Sequence, residues 1–299
     1  MENLNQQDIN KLTKTILIGL PGVGKSTLTD EICRLIEEKT NIHIENVSSD
    51  LRLRDVRKDA NNPVVKKFMA SHKIPRSDFD LLIKTNEFMK KYGEPAFRDL
   101  ESDVIIDMLE RGEFEGKIAN LGGKAMLHPK TAEAFKKRGY QVIYLKTTVK
   151  ENAAHITKDF EAMLDGAVIT RSNINGPILE AVQKEVPAYA HVSPAKFMEN
   201  RIQKMRNVLK SPNPSRAVRK ASITRKKEIY LYEQRIKVRD QKAFDIMARF
   251  NNERDKLYEQ AADCVLNCSQ NLKDDALRVL EIVRNKSWNT MLKHAPNER

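Results

Sequence analysis

A glycine-rich segment near the amino terminus has the residue types and spacing needed to hold a chain of phosphates. Residues 19–26 read Gly-Leu-Pro-Gly-Val-Gly-Lys-Ser, which fits the pattern G-x-x-x-x-G-K-[ST]. Glycines let successive backbone N–H groups turn toward phosphate oxygens, and a following helix adds partial positive charge. Lys25 would reach the β and γ phosphates, and the Ser26 hydroxyl would ligate Mg²⁺. We therefore predict an ATP·Mg²⁺ site with nucleotide contacts at Gly22, Val23, Gly24, Lys25, Ser26 and Thr27.

A second charged segment, residues 93–101, combines two carboxylates with one guanidinium just before a predicted helix. It reads Gly-Glu-Pro-Ala-Phe-Arg-Asp-Leu-Glu. The planar guanidinium of Arg98 is suited to binding a small carboxylate at two points, and Glu94 and Glu101 could orient it. Taken alone, the segment could equally be the charged, solvent-exposed first turn of a helix that binds no ligand.

Taken with the phosphate loop, this segment resembles the G-E-x-x-F-R-x-x-E signature of the shikimate kinase family. Three more motifs follow in the order that the family requires. Asp50 stands at the end of a predicted strand, residues 120–123 read Asn-Leu-Gly-Gly, and residues 252–263 fit N-E-R-x-x-L-Y-x-x-x-A-D. The resemblance covers residues 12–147 and 251–287, and several ordered motifs are more specific than any one of them.

The resemblance implies ATP-dependent phosphorylation of a small hydroxylated carboxylate, with shikimate converted to shikimate 3-phosphate. Asp50 would contact the ring hydroxyl and help to deprotonate it, while two arginines would hold the acceptor carboxylate. The implied catalytic residues are Lys25, Asp50 and Arg171, the last as a lid arginine. The implied substrate-binding residues are Asp50, Arg98, Gly122, Gly123 and Arg254.

The sequence departs from the family pattern in ways that leave alternatives open. Ser48 replaces an aspartate that normally lies near the magnesium, Leu121 replaces the first glycine of a triplet, and Arg171 lacks the proline that normally follows it. The acceptor could therefore be another small hydroxylated anion on the same fold. A nucleotide-binding regulator without turnover is a third reading, and Asp50 could simply cap a helix.

These side chains need a framework of strands that end in turns. Strands alternating with helices favour an α/β fold with a parallel sheet. The resemblance specifies a five-stranded, three-layer P-loop NTPase fold similar to nucleoside monophosphate kinases. Predicted strands lie at 15–20, 42–49, 117–122, 140–147 and 262–267, and predicted helices at 25–38, 102–111, 129–138 and 273–284.

Two long regions interrupt this alternation. Residues 52–92 are charged and mostly helical in pattern, and they would lengthen the wall of the acceptor pocket. Residues 148–250 are rich in proline at first and then charged and helical. We predict a kinase core at 1–147 and 251–299, an enlarged acceptor-binding region at 52–92, and a basic, mainly helical lid insertion at 148–250.

Positive charge is concentrated in one stretch. The chain of 299 residues has a formal net charge of +12, and residues 196–242 hold 15 Lys and Arg against 4 Asp and Glu. This stretch could bind a polyanion such as nucleic acid or an acidic surface, or it could belong to a lid that closes over ATP. The sequence leaves both readings open.

Cysteine spacing and hydropathy indicate the cellular compartment in which the protein is expected. Cys33, Cys264 and Cys268 lack the paired spacing of a zinc site or a disulfide framework. The amino-terminal segment is polar, and no uncharged apolar run in the sequence is long enough to span a bilayer. A soluble, cytoplasmic protein is the resulting expectation.

Overall fold

Five strands form one parallel sheet in the computed structural model, which describes residues 4–166, 172–209, 214–269 and 271–285. The spatial order is β2-β3-β1-β4-β5, and each neighbouring pair is parallel. This confirms the predicted five-stranded parallel sheet, whose order is that of the nucleoside monophosphate kinase-like P-loop fold. The strands are β1 (Thr15–Ile18), β2 (Asn46–Ser48), β3 (Ile118–Asn120), β4 (Gln141–Lys146) and β5 (Cys264–Asn267).

Helices connect the strands and extend beyond them. Short 3₁₀ turns lie at Arg76–Asp78, Ala125–Leu127 and Pro187–Tyr189. Over the described ranges the α-helices are α1 (Gln6–Leu12), α2 (Lys25–Thr40), α3 (Ser49–Val56), α4 (Pro63–Ser71), α5 (Phe79–Ile83), α6 (Thr85–Glu110), α7 (Pro129–Lys137), α8 (Val149–Leu164), α9 (Ser172–Glu185), α10 (Pro194–Leu209), α11 (Pro214–Ala261) and α12 (Leu272–Arg284).

The strand that carries the phosphate loop lies at the centre of the sheet. All four residues of β1 are buried, as expected for a strand with neighbours on both sides and helices against it. Ile32 and Ile36 of α2 pack with Val279 and Val283 of α12 in one apolar cluster beside the sheet. Burying each such side chain contributes about 1.5–3 kcal/mol, so the loop at the end of β1 stands on a rigid base.

Two elements differ from the sequence-based expectation. Strand β2 covers only Asn46–Ser48, and α3 begins at Ser49, so Asp50 lies in a first helical turn rather than at a strand end. The segment 93–101 lies inside α6 rather than before a helix, with a kink at Gly93, where φ is 86°. Pro95 is tolerated because it falls in the first turn after this kink, where no intrahelical N–H donor is needed.

The chain divides into two compact units. One unit comprises residues 1–147 and 252–299, and the other comprises residues 148–251. The second unit is helical over its described residues and has its own core, in which Phe197 stacks on Tyr232 with ring centroids 4.0 Å apart. Its predicted role as a lid, and that of 52–92 as an acceptor-binding region, stay predictions.

Across the residues that the structure describes, none of the helices combines the length and the apolar composition needed to cross a bilayer.

Candidate active site

The phosphate loop has the backbone geometry that its glycines predict. Gly24 is the residue before α2 and has φ 88° and ψ 21°, a left-handed conformation that an L side chain rarely adopts. It directs the chain from the loop into a 16-residue helix whose first N–H groups face the loop. The segment therefore presents a helix amino terminus where phosphate oxygens would bind.

The side chains of the loop fit a nucleotide and a metal ion. Lys25 Nζ donates to the carbonyl oxygens of Gly19, at 2.9 Å, and Leu20, at 3.3 Å. Ser26 and Thr27 are exposed at the start of α2, so their hydroxyls are accessible. A P-loop magnesium site needs one protein hydroxyl plus phosphate and water oxygens, and Ser26 provides that hydroxyl. No cluster of three or more His, Cys, Asp or Glu able to hold a metal occurs in the described ranges.

Gly122 brings two carboxylates together at the carboxyl ends of β2 and β3. A Cβ placed on Gly122 would lie 2.6 Å from Asp50 Oδ1 and also 2.6 Å from Glu101 Oε1. The backbone N–H of Gly122 donates to the Ser49 hydroxyl at 3.0 Å, which ties the turn after β3 to the start of α3. Glycine leaves room here for both carboxylates, and a larger residue would have to displace them.

Arg98 is held between two glutamates on its own helix. Because Glu94, Arg98 and Glu101 follow a spacing of four and then three residues, they share one face of α6. Arg98 donates to Glu94 Oε1 through Nε (3.1 Å) and Nη2 (3.0 Å), and to Glu101 Oε2 through Nη1 (2.8 Å). Lys124, just after β3, also contacts Glu94 Oε1 at 2.8 Å.

Glu101 is nearly fully buried, at 4% exposure. Burial raises the pKa of Glu101, the charge of Arg98 opposes this change, and the neighbouring Asp50 adds to it. The guanidinium of Arg98 is thus fixed by one exposed and one buried carboxylate, which leaves it few alternative orientations.

Arg254 reaches the same region from the end of α11. Asp255, beside it, accepts hydrogen bonds from Tyr144 Oη at 2.7 Å and from Lys146 Nζ at 2.8 Å, both on β4. The ring of Tyr258 packs against Tyr144 with centroids 5.1 Å apart. These contacts anchor the helix end to the sheet and hold Arg254, which is 8% exposed, in place.

Gly123 connects this arginine with the phosphate loop. A Cβ placed on Gly123 would lie 3.9 Å from Arg254 Nη1, 3.9 Å from Pro21 Cδ and 3.7 Å from Tyr258 Oη. Pro21 belongs to the phosphate loop, so the two halves of the predicted site meet at this glycine. A small molecule bound beside Gly123 would touch both.

The structure thus assembles most of the residues singled out in the sequence, and adds others. Arg171 lies outside the described residues, so the lid arginine stays a prediction. Glu101, Tyr258 and Lys124 also contact residues of the site, although the motifs suggested no role for them beyond orienting Arg98 or completing a pattern. Arg57, seven residues after Asp50, was not singled out in the sequence, and its guanidinium lies over the ring of Phe97, as does that of Arg98.

The sheet order and the phosphate loop define the class: a P-loop kinase fold with a group of charged side chains near the loop. Residues 78–175 match the family model described as shikimate kinase. A shikimate kinase from Rhodococcus erythropolis is 30% identical over 138 residues, covering 46% of this chain and 61% of that protein. One from Xylella fastidiosa is 26% identical over 151 residues, covering 50% of this chain and 65% of that protein.

These matches confirm the resemblance to the shikimate kinase family that the motifs indicate. The chain spans about three fifths of the length of the first of these curated relatives. A solved structure of a shikimate kinase from Acinetobacter baumannii in complex with shikimate aligns with a TM-score of 0.43 and 17% identity, covering 90% of this chain and 91% of that chain.

Proposed function

We propose that this protein transfers the terminal phosphate of ATP to a hydroxyl group of a small carboxylate, with shikimate as acceptor and shikimate 3-phosphate as product. The observation that carries the proposal is the position of Gly123 between Pro21 of the phosphate loop and Arg254. If Arg254 binds the carboxylate of the acceptor, the acceptor would lie next to the terminal phosphate of an ATP molecule bound on the loop.

In this proposal the acceptor is held by its carboxylate and oriented by its hydroxyls. Arg98 and Arg254 would bind the carboxylate, with Glu94 and Glu101 keeping Arg98 in position. Asp50 is exposed at the start of α3 and would accept the proton of the reacting hydroxyl. Phosphoryl transfer requires mainly positioning and neutralisation of charge, so Asp50 need take the proton only late.

The loop would neutralise the phosphates. Lys25 and the N–H groups at the start of α2 would bind the β and γ phosphate oxygens, and Ser26 would ligate magnesium. When bound, Mg²⁺ supplies additional positive charge to the phosphate that is transferred. Ser48 stands where the family usually has an acidic residue, so Ser26 would carry more of the metal binding in this chain.

The proposal is tested by incubating purified protein with Mg·ATP and shikimate. ADP release would be followed by a coupled assay and the phosphorylated product by mass spectrometry. Lys25→Ala and Arg98→Ala should each slow product formation by about 10²-fold or more. Lys137→Ala, which removes an exposed lysine paired with Glu133, should leave it unchanged. ADP release that is independent of shikimate would instead indicate an ATPase and contradict the proposal.

A different small anionic acceptor on the same fold is the second candidate. It is favoured by the residues of 52–92 that lie near the site, among them Arg57, and by Leu121 in place of a glycine. ATP binding without turnover of shikimate would direct the search to other hydroxy acids. The lid role of 148–250, including Arg171, and a polyanion partner for 196–242 remain separate predictions.

A further inference from the structure

Arg57 is an additional cation beside the proposed acceptor pocket. It follows the last residue of α3, two helical turns after Asp50. Its Nη1 donates to the Thr85 hydroxyl at 2.6 Å, and its Nε donates to the carbonyl oxygen of Leu53 at 3.3 Å. Both partners are uncharged, so they orient the guanidinium without neutralising it.

The contrast with Arg98 is informative because both arginines lie over the same ring. The guanidinium carbons of Arg57 and Arg98 are 5.5 Å and 5.2 Å from the centroid of Phe97. Arg98 donates to two carboxylates. In the parts of the chain that the structure describes, Arg57 has no carboxylate oxygen within 4.0 Å, and its Nη2 makes no hydrogen bond.

The nearest acidic groups act on Arg57 only from a distance. Burial lowers the pKa of Arg57, while the charges of Glu101 and Asp50 oppose that change. A partly buried cation without an ion-pair partner is unfavourable, and an anion bound next to it relieves the penalty. Asp50 and Glu101 are the two carboxylates that meet at Gly122, and Arg57 shares the ring of Phe97 with Arg98, so Arg57 lies beside the proposed acceptor site.

We infer that Arg57 is a specificity-determining residue that binds the anionic group of the acceptor and makes the pocket select acids over neutral polyols. This inference rests on the proposed function for the identity of the acceptor. The acceptor is a small hydroxylated carboxylate, and Arg57 binds its charged group together with Arg98 and Arg254. Residues 52–92 thereby contribute directly to substrate choice.

The test compares two ligands that differ by one charge. Dissociation constants of shikimate and of its neutral methyl ester would be measured by calorimetry in the presence of Mg·ADP, for the wild type and for Arg57→Gln, Arg57→Lys and Arg52→Gln. Arg52 is the matched control because it lies on α3, five residues before Arg57, and pairs with Glu113 at 3.1 Å.

Arg57→Gln should weaken shikimate binding between about tenfold and a hundredfold, the range for a charged hydrogen bond, and change binding of the ester by less than about threefold. The dissociation constant of shikimate for Arg57→Lys should lie between those of the wild type and Arg57→Gln, and the constant for Arg52→Gln should match that of the wild type. Binding of Mg·ADP should be unchanged in all variants, which reports on folding. The inference would be overturned if Arg57→Gln and Arg57→Lys weakened the binding of shikimate and of the ester equally, or changed the binding of neither.

Failure of the proposed function gives a different pattern. If the wild type binds shikimate in preference to the ester but never phosphorylates it, the proposed reaction is wrong. The dissociation constants of the two ligands in the Arg57 variants still test the role of Arg57 in that case. If the wild type binds neither ligand, both the proposed acceptor and the role of Arg57 toward it are wrong.

Discussion

The ammonium group of Lys25 lies 2.9 Å from the carbonyl oxygen of Gly19, so the lysine at one end of the phosphate loop contacts the residue at its other end. The side chain is therefore folded over the loop, and its charge lies where phosphates would enter. A neighbouring contact to the Leu20 carbonyl, at 3.3 Å, keeps it there.

Replacing this lysine is expected to reduce catalysis far more than stability. In Lys25→Ala, kcat should fall by about 10²-fold or more, the cost typical of losing a charge that stabilises the transferring group. Far-UV circular dichroism and the thermal midpoint should stay near the wild type. A variant that keeps more than a third of wild-type kcat would argue against a phosphate-binding role.

Gly122→Ala should displace the two carboxylates that meet at this residue. The added methyl group would come within 2.6 Å of Asp50 Oδ1 and Glu101 Oε1. Asp50 is exposed and can move, but buried Glu101 is bonded to Arg98, so we expect a drop of about tenfold or more in kcat/KM for the acceptor with a loss of about 1–2 kcal/mol in stability. Steady-state kinetics and denaturant unfolding measure the two effects.

The matched control for this substitution is Gly176→Ala on α9. No atom lies within 4 Å of a Cβ placed there, and its φ is not in the left-handed region. Alanine in a helix should stabilise slightly rather than destabilise. If both variants behaved alike, crowding at Gly122 would not be the cause.

Asp99 makes stability depend on pH through two histidines. It accepts a hydrogen bond from Nε2 of His72 and another from Nε2 of His128, each at 3.1 Å. Partial burial opposes ionisation of Asp99, but the two histidines outweigh it and lower the pKa of this carboxyl. Its stabilising contribution is therefore present above the ordinary carboxyl pKa of about 4 and is lost as the pH falls through the lowered value.

Asp99→Asn should consequently be less stable than the wild type at neutral pH, and the difference should disappear as the pH falls through the lowered pKa of Asp99. Because the carboxylate is 34% exposed, the difference should be small, on the order of 0.5 kcal/mol. Urea unfolding at a series of pH values measures it, with the exposed Asp55→Asn as control. If the difference in unfolding free energy between Asp99→Asn and the wild type persisted unchanged in acid, ionisation of Asp99 would not be its cause.

The second unit has a buried ion pair whose loss should be costly. Arg235 is fully buried and donates to both carboxylate oxygens of Glu161, at 2.6 and 2.9 Å. Glu161→Ala would leave this guanidinium without its partner and should destabilise the unit by about 3–5 kcal/mol. Glu133→Ala, which breaks an exposed pair with Lys137, should cost less than about 1 kcal/mol.

Hydrogen exchange measured by mass spectrometry locates the effect. Peptides from 148–251 should exchange faster in Glu161→Ala, while the strands of the first unit keep their protection. Equal loss of protection in both units would contradict the independent core of the second unit.

Sequence alone was sufficient where the signal is local. The phosphate loop follows from glycine and lysine spacing, and the parallel sheet follows from alternating strand and helix patterns, because both depend on residues close together in the chain. The prediction was less accurate at element boundaries. A run from 42 to 49 suggested a long strand, but β2 keeps only Asn46–Ser48, since pairing with β3 and the start of α3 decide where a strand ends.

Tertiary structure decided which charges meet. The sequence indicated Asp50, Arg98 and Arg254, but not that Gly122 would bring Asp50 against buried Glu101. Nor did it indicate that Arg57 would lie over the same ring as Arg98 with no carboxylate oxygen of the described residues within 4.0 Å. Residues distant in the chain become neighbours only when the parallel sheet places the ends of its strands side by side. The pKa of a carboxyl and the pairing of a guanidinium depend on burial and on such neighbours, which local residue patterns do not specify.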